Sequence, residues 1–399
     1  AIPLILLEQP SMTVTDAFFE SFSGLTTTGA TVIEGIDFLP HSVQFYRQQL
    51  QWLGGMGIIV LAVAILPILG VGGMQLYRAE TPGPVKDNKM TPRIADTAKH
   101  LWYIYLSITI ACAGAYWLAG MNVFDAICHS FSTVAIGGFS NHDASLGYFN
   151  SPMVNVVCTV FLLIAALNFS LHYAAVSSRS VKGYFNDPEF KAFFIIQASL
   201  IGICFLVLTL SGYYSSAEQA LDQAMIQAVS ISTTAGFATT DFSVWPAFLP
   251  IMLIFSSFIG GCASSTGGGL KVVRVCLLFL QGKREVDRLI HPKAVYSVKF
   301  GDRAMPDRVV EAVWGFFSAY AVVFVIIMIG LIATGLDNLS AFTATAAMLN
   351  NLGPGLGSVA ANYADVTDAG KWILVIAMVF GRLEVFSLLV LFSPTFWRS

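Results

Sequence analysis

A segment rich in serine, threonine and glycine recurs four times along this chain, each time between a short amphipathic stretch and a long apolar run. These glycine segments are residues 23–31, 132–140, 230–239 and 350–357, and their aligned glycines, Gly29, Gly138, Gly236 and Gly353, lie 109, 98 and 117 residues apart. Glycine exposes backbone carbonyls and reaches backbone angles that other residues avoid. Four such segments around one axis would form rings of carbonyl oxygens that can replace the water shell of a cation. The pattern predicts a pore whose four walls come from one chain.

The composition predicts an all-α polytopic membrane protein. Of the 399 residues, 56% are apolar and 11% are charged, whereas a soluble domain carries about 25% charged residues. The long apolar runs are therefore interpreted as membrane spans. The six cysteines lie in apolar segments without a CxxC pair, which favours buried apolar residues over disulfides or a metal site. Residues 1–7 resemble the end of a helix, so we expect this sequence to start inside the first repeat and at least one span to precede it.

Each complete repeat is predicted to contain a span, a half-helix, a glycine segment and a second span. The repeats are expected at residues 1–76, 77–178, 179–288 and 289–399, the first of them incomplete. The half-helices are too short for the ~20 residues that a crossing needs, so they must enter the membrane and return. They are predicted at 16–25, 125–133, 217–230 and 339–349. The spans are predicted at 48–69, 101–118, 152–173, 190–211, 245–280, 309–334 and 372–392.

The basic residues predict the orientation. Of 21 lysines and arginines, 17 lie in three loops, at 78–99, 179–191 and 271–308. Such loops are cytoplasmic by the positive-inside rule. The glycine segments then open to the outside, where nearby acidic residues would concentrate cations.

Inside the third repeat, the second span is interrupted by the glycine loop, residues 260–270. Five glycines and three hydroxyl residues within ten positions cannot form a stable helix interior. The loop is either a turn between a span and a cytoplasmic helix, or a gate at membrane depth that lines a cavity. The residues 245–259 are too few to cross alone, which favours the gate.

Charged residues near the predicted pore leave two interpretations each. Arg382 lies within the last predicted span, and it either faces the ion path or pairs with an acid such as Glu384. Glu20, in the first half-helix, either assists the filter or bonds to loop amides. The basic stretch 283–288 is either a solvated helix or a docking site for a regulatory partner.

The motifs resemble the Trk/Ktr/HKT superfamily of potassium transporters. The resemblance rests on Thr-Thr-Gly-Ala-Thr, Ile-Gly-Gly-Phe-Ser, Thr-Ala-Gly-Phe-Ala-Thr and Asn-Asn-Leu-Gly-Pro-Gly-Leu-Gly, on the glycine loop, and on Gly-Arg in the last span. It covers essentially the whole chain. It implies potassium- and rubidium-selective uptake across the bacterial inner membrane, with potassium as the only bound cofactor. It also implies a homodimer and a cytosolic, nucleotide-binding regulatory subunit of the TrkA type.

The resemblance also implies site residues. The filter is expected to bind potassium through the backbone carbonyls of Thr27, Thr28, Gly29, Ile136, Gly137, Gly138, Thr234, Ala235, Gly236, Asn351, Leu352 and Gly353. The gate is expected to comprise Gly260, Gly261, Gly267, Gly268, Gly269, Lys271 and Arg382. Glycine at all four aligned positions fits potassium, whereas a serine in the first would suggest sodium.

Other functions fit the sequence less well. A proton- or sodium-coupled potassium symporter with sites at broken helices is the alternative within transport, but inverted repeats would support it and these repeats are parallel. A membrane-bound enzyme would need a cluster of histidine, carboxylate or cysteine residues at membrane depth, and the sequence indicates none. Binding of nucleic acid is not expected.

Overall fold

Helices form nearly all of the regular secondary structure in the described residues, which confirms the predicted all-α class. The computed structural model describes residues 1–6, 11–60, 94–246 and 248–383. Over this part of the chain the helices are, in order, α1 (Ile2–Leu6), α2 (Val14–Leu25), α3 (His41–Val60), α4 (Ile94–Leu118), α5 (Val123–Ala135), α6 (Pro152–Ala165), α7 (Phe169–Ser178), α8 (Lys182–Asn186), α9 (Pro188–Leu210), α10 (Ala217–Ser232), α11 (Leu249–Ser257), α12 (Val272–Ile290), α13 (Asp307–Ala333), α14 (Asn338–Asn350) and α15 (Asp368–Arg382). A small antiparallel hairpin, β1 (Lys299–Phe300) and β2 (Arg303–Ala304), joins α12 to α13.

The four predicted half-helices are present as the short helices α2, α5, α10 and α14. Each begins after a residue whose side chain accepts a hydrogen bond from the first turn: Thr13, Asn122, Ser216 and Asp337. Such a cap stabilises a helix by about 1 kcal/mol because it satisfies a backbone N–H that has no partner within the helix. Each short helix ends inside a glycine segment.

Several helices can cross a membrane. Among the described residues, Ala98–Leu118 of α4, α9 and α13 are long and apolar enough, and α6 with α7 would be a fourth span if the pair is counted as one. These spans match those predicted at 101–118, 190–211 and 309–334. The predicted spans 48–69 and 372–392 are described only as far as Val60 and Leu383.

The prediction of one continuous span at 152–173 is wrong. The chain bends by 88° between α6 and α7. The carbonyl of Ala166, just beyond the end of α6, accepts a hydrogen bond of 2.8 Å from the Cys262 N–H of the glycine loop, and Asn168 caps α7 through the Ser170 N–H. The bend is stabilised by these contacts, because they satisfy backbone groups that a continuous helix would have paired internally.

The helix that follows each glycine segment packs on the short helix of the next repeat. Helix α3 packs on α5, α6 on α10 and α11 on α14, and α15 returns to pack on α2. The order is therefore cyclic, and the end of the described chain closes on its beginning. This arrangement brings the four glycine segments together.

Candidate functional site

The four aligned glycines form a closed ring of contacts. Their φ angles are +80, +77, +81 and +93° for Gly29, Gly138, Gly236 and Gly353. A Cβ on each would meet a carbonyl oxygen of the next segment, in the order Gly29 to Gly137, Gly138 to Ala235, Gly236 to Leu352 and Gly353 to Thr28. Both the backbone angle and the close approach therefore require glycine here.

The backbone before each glycine repeats the same pattern of angles. The residue two positions earlier has a positive φ in all four segments: 52° at Thr27, 53° at Ile136, 71° at Thr234 and 54° at Asn351. The intervening residue has a negative φ in each case. Four segments of different sequence thus share one uncommon conformation, which the surrounding structure must impose because non-glycine residues adopt it at a cost.

One open vestibule touches all four glycines. It has a volume of about 480 Å³, and its wall also includes Asp143 and Asp241. The carboxylates near the opening favour the approach of cations. The C-terminal ends of the four short helices lie directly before the glycines, and the partial negative charge of a helix C-terminus also favours a cation.

Two carbonyls of the residues predicted to form the filter accept hydrogen bonds from side chains. The Gly137 carbonyl accepts one of 2.6 Å from the Gln51 amide, and the Gly353 carbonyl accepts one of 2.8 Å from the Tyr363 hydroxyl. A carbonyl oxygen has two lone pairs, so each keeps one for another partner. The fourfold symmetry is therefore approximate at the level of side chains.

The glycine loop lies against the inner ends of three short helices. The Thr266 hydroxyl donates to the Val134 carbonyl (3.0 Å), the Gly268 N–H donates to the Thr234 hydroxyl (2.7 Å), and the Gly269 N–H donates to the Asn350 carbonyl (3.1 Å). Since Thr234 belongs to the third glycine segment, the loop and the segment are in direct contact. No room remains for a side chain at Gly268, where a Cβ would overlap the Asn350 carbonyl.

Arg382 and Lys271 both contact the glycine loop. The Arg382 guanidinium donates to the Thr266 carbonyl (2.9 Å) and to the Gly54 carbonyl (3.4 Å), and the Lys271 ammonium donates to the Gly267 carbonyl. Glu384, the alternative partner of Arg382, lies outside the described residues. The predicted gate residues are thus brought together at one place.

Glu20 bonds to loop groups, as one of its two interpretations predicted. Its carboxylate accepts hydrogen bonds from the Val32 N–H and the Thr31 hydroxyl, each 3.1 Å long. It also pairs with Arg47 at 2.8 Å, and both side chains are almost fully buried. Removing one partner of a buried ion pair typically costs about 3–5 kcal/mol, because the other charge is left buried and unpaired.

Sequence reasoning missed a polar cluster beside the vestibule. His142 bonds to Asp37 through Nδ1 and to Asp125 through Nε2 (3.2 Å), and its ring stacks on Tyr148 at 3.5 Å. Partial burial alone would lower the pKa of His142, but the hydrogen bonds to the two carboxylates outweigh it and raise the pKa above its usual range. No sequence signal marks this cluster, because Asp37 and His142 are 105 positions apart.

Sequence reasoning also missed a polar face on α3. It consists of Gln44, Arg47, Gln48 and Gln51, and each of these side chains is at most 4% exposed. The spacing i, i+3, i+4, i+7 was visible in the sequence and is the signal that could have revealed it, because it marks one face of a helix.

Comparisons with known proteins agree with this architecture. The sequence matches the model of a family described as TrkH, cation transport protein, over residues 1–399. It is 67% identical over 401 residues to the Trk system potassium uptake protein TrkH of Vibrio parahaemolyticus, covering all of this chain and 83% of that protein. It is 64% identical to the TrkH protein and 44% identical to the TrkG protein of Escherichia coli, covering all of this chain and 83% and 82% of the two proteins.

A solved structure shares the fold. The crystal structure of the potassium transporter TrkH from Vibrio parahaemolyticus superposes with a TM-score of 0.91 at 64% identity, over 99% of this chain and 82% of that one. Fold and site together define a multi-pass helical membrane transport protein whose four glycine segments meet at one vestibule. The chain belongs to the TrkH family of cation transport proteins, which are transporters and not enzymes.

Proposed function

We propose that this chain conducts potassium and rubidium through a filter formed by the four glycine segments. The observation that carries the proposal is the closed ring of contacts between each aligned glycine and a carbonyl of the next segment. The filter residues are the glycine and the two residues before it in each segment, the twelve positions named above. The relatives named for potassium uptake support potassium as the substrate.

The choice of ion follows from the chemistry of the ligands. Backbone carbonyls in a ring replace a hydration shell, and they are expected to suit potassium better than the more strongly hydrated sodium ion. Helix C-termini and vestibule carboxylates add attraction for a cation without selecting one. Selectivity is therefore assigned to the ring itself.

The glycine loop is proposed as the gate. It occupies the inner side of the third glycine segment, and the hydrogen bond from Arg382 to Thr266 would hold it there. Gly260, Gly261, Gly267, Gly268, Gly269 and Lys271 complete this gate. A cytosolic, nucleotide-binding subunit of the TrkA type is proposed to control it, in keeping with relatives named as parts of a Trk system.

The protein is proposed to lie in the bacterial inner membrane as a homodimer, with the vestibule facing the periplasm and the basic loops in the cytoplasm. The distribution of basic residues supports this orientation. Channel-like transport is favoured over proton- or sodium-coupled symport because the predicted repeats are parallel. Potassium flux in liposomes with and without a pH gradient, and with and without a sodium gradient, distinguishes the two.

The substitution Gly29→Ser tests the filter. The added Cβ would overlap the Gly137 carbonyl and would force a non-glycine residue to φ +80°, so the ring must change shape. We expect the potassium-to-sodium flux ratio to fall roughly fivefold or more, which corresponds to about 1 kcal/mol of lost discrimination. The measurement is the flux of both ions into liposomes that contain only this protein.

Gly335→Ser is the matched control for this test. Gly335 also has a positive φ, +103°, but a Cβ there meets nothing within 4 Å. Its flux ratio should equal that of the wild type. A folded Gly29→Ser protein with an unchanged ratio would remove Gly29 from the filter and contradict the proposed function.

A further inference from the structure

The polar face of α3 is unusual for a helix that packs inside a membrane protein. Gln44, Arg47, Gln48 and Gln51 are buried side by side on two turns of α3. Buried polar groups are costly unless they form hydrogen bonds. The face therefore needs partners, and their identity indicates what it does.

The partners include a consecutive run of the chain at the second glycine segment. The Gln51 amide donates to the Gly137 carbonyl (2.6 Å), and Arg47 donates to the Ser140 carbonyl (3.1 Å). Gln44 donates to the Asn141 carbonyl (3.2 Å), and Gln48 donates to the Asn141 side chain (3.3 Å). Helix α3 thus holds the backbone from Gly137 to Asn141 in place.

Gln51 is the member of this face next to the ring. Its Nε2 donates to the Gly137 carbonyl, and its Oε1 accepts the Phe139 N–H at 3.1 Å. The side-chain amide of Gln51 therefore bonds to the backbone on both sides of the filter glycine Gly138. The carbonyl that it holds is also the one that faces Gly29 in the ring.

Gly137 and Gln51 fit each other sterically. A Cβ at Gly137 would overlap the Gln51 amide, and the three nearest atoms to it all belong to Gln51. The matching positions in the other three segments are Thr28, Ala235 and Leu352, which all carry a Cβ. The second segment thus has a glycine where the others do not, and the Gln51 amide occupies the space.

We propose that Gln51 is a positioning residue that sets the selectivity of the filter by fixing the Gly137 carbonyl and the backbone around Gly138. This inference rests on the proposed function. Because the Gly137 carbonyl accepts a hydrogen bond from Gln51, it cannot turn freely toward the axis of the ring. Without that donor, the ring can contract around a smaller ion, so sodium would be admitted more easily.

The first test is Gln51→Met, which keeps the length of the side chain and removes both hydrogen bonds. We expect a folded protein in which potassium flux persists and the potassium-to-sodium flux ratio falls roughly two- to tenfold, the size expected for the loss of buried hydrogen bonds. The control is Gln281→Met. Gln281 is also buried, but its amide donates to Glu285 within α12, outside the four glycine segments. That variant should keep the wild-type ratio.

The second test is a double-mutant cycle, which also decides the matter if Gln51→Met does not fold. Gly137→Ala should lower the flux ratio in the wild-type background, because its Cβ displaces the Gln51 amide. In a Gln51→Ala background that space is free, so Gly137→Ala should have a clearly smaller effect. Non-additivity of this sign supports the coupling.

The outcomes separate the inference from the proposed function. A wild-type protein that does not discriminate potassium from sodium overturns the proposed function. A selective wild type with an unchanged ratio in folded Gln51→Met, or with additive effects in the cycle, overturns only the role of Gln51.

Discussion

At the scale of single residues, His142 connects two parts of the chain at the edge of the vestibule. It bridges Asp37, which precedes α3, and Asp125, which lies in the first turn of α5. Asp143 lies on the same edge and accepts a hydrogen bond from the Ile36 N–H at 3.0 Å. The bridge therefore holds the first repeat against the second on the side of the vestibule.

The pKa values of His142 and Asp37, at the two ends of this bridge, are shifted in opposite directions. The pKa of His142 is raised, so its contribution to stability is complete below the ordinary histidine pKa and is lost as the pH rises through the folded value. For Asp37, partial burial alone would raise the pKa of the carboxyl. Hydrogen bonds from His142 and Asp143 lower it by more, so the pKa of Asp37 is below its ordinary value. Its contribution is lost as the pH falls through that lowered value.

The bridge should therefore stabilise the protein fully between about pH 4 and about pH 6.5. Above this window, the melting temperature of the wild type should fall by roughly 1–2 °C more than that of His142→Gln, as expected for a partly exposed ion pair. Thermal unfolding of both proteins in detergent, recorded from pH 6 to pH 9, measures the difference. Identical pH dependence in the two proteins would show that His142 contributes nothing through its charge.

At the scale of elements, the sequence predicts those parts of the fold that depend on local chemistry. The short helices are predictable because each combines a capping residue with too few apolar residues to cross a membrane. The bend between α6 and α7 is not predictable, because residues 166–168 contain neither glycine nor proline. It depends on contacts with the glycine loop about 100 residues later in the chain, which no local pattern reveals.

The glycine loop itself was predictable as a break in a span, but its partners were not. Its contacts with Val134 and Asn350 join three repeats. The same reasoning applies to the candidate site. The aligned glycines are visible in the sequence, whereas their neighbours in the ring are known only once the four segments are placed together.

The contact between the glycine loop and α15 gives a prediction for the loop as an element. Arg382→Ala removes the 2.9 Å hydrogen bond to Thr266, so the loop should leave its position more often. We expect basal potassium flux to rise roughly tenfold or more, since a charged hydrogen bond contributes about 1.5 kcal/mol or more. The potassium-to-sodium ratio should stay unchanged because the ring is not altered.

Flux and thermal stability of Arg382→Ala should be measured together. Arg382→Lys is the matched variant, because it keeps the positive charge and loses the planar donor group. If the charge alone limits flux, the lysine variant should behave like the wild type. A destabilised Arg382→Ala protein without any gain in flux would make Arg382 a structural residue and not part of a gate.

At the scale of the whole molecule, cyclic packing turns four unlike repeats into one site. The helix after each glycine segment supports the short helix of the next repeat, and α15 completes the cycle on α2. Each wall of the candidate filter therefore depends on its neighbour, and the polar face of α3 shows that the walls are supported differently. Periodicity in the sequence indicates four copies, but it contains no information about which copy neighbours which.

The orientation of the molecule in the membrane can be tested with two exposed valines that the proposed orientation places on opposite sides of the membrane. Val244 lies beside the vestibule residues Asp241 and Ser243 and is 61% exposed, while Val295 lies in the basic loop and is 99% exposed. If the basic loops are cytoplasmic, a membrane-impermeant maleimide added to intact spheroplasts should label Val244→Cys and not Val295→Cys. Permeabilised cells should label both.

The wild-type protein gives the background for this labelling, since its six cysteines are unpaired and five of them are buried. The two variants replace the same residue type in exposed segments, so any difference between them reports the side of the membrane. Labelling of Val295→Cys alone in intact spheroplasts would contradict the proposed orientation and indicate the opposite one. The vestibule would then face the cytoplasm, and the proposed direction of entry through the filter would be wrong.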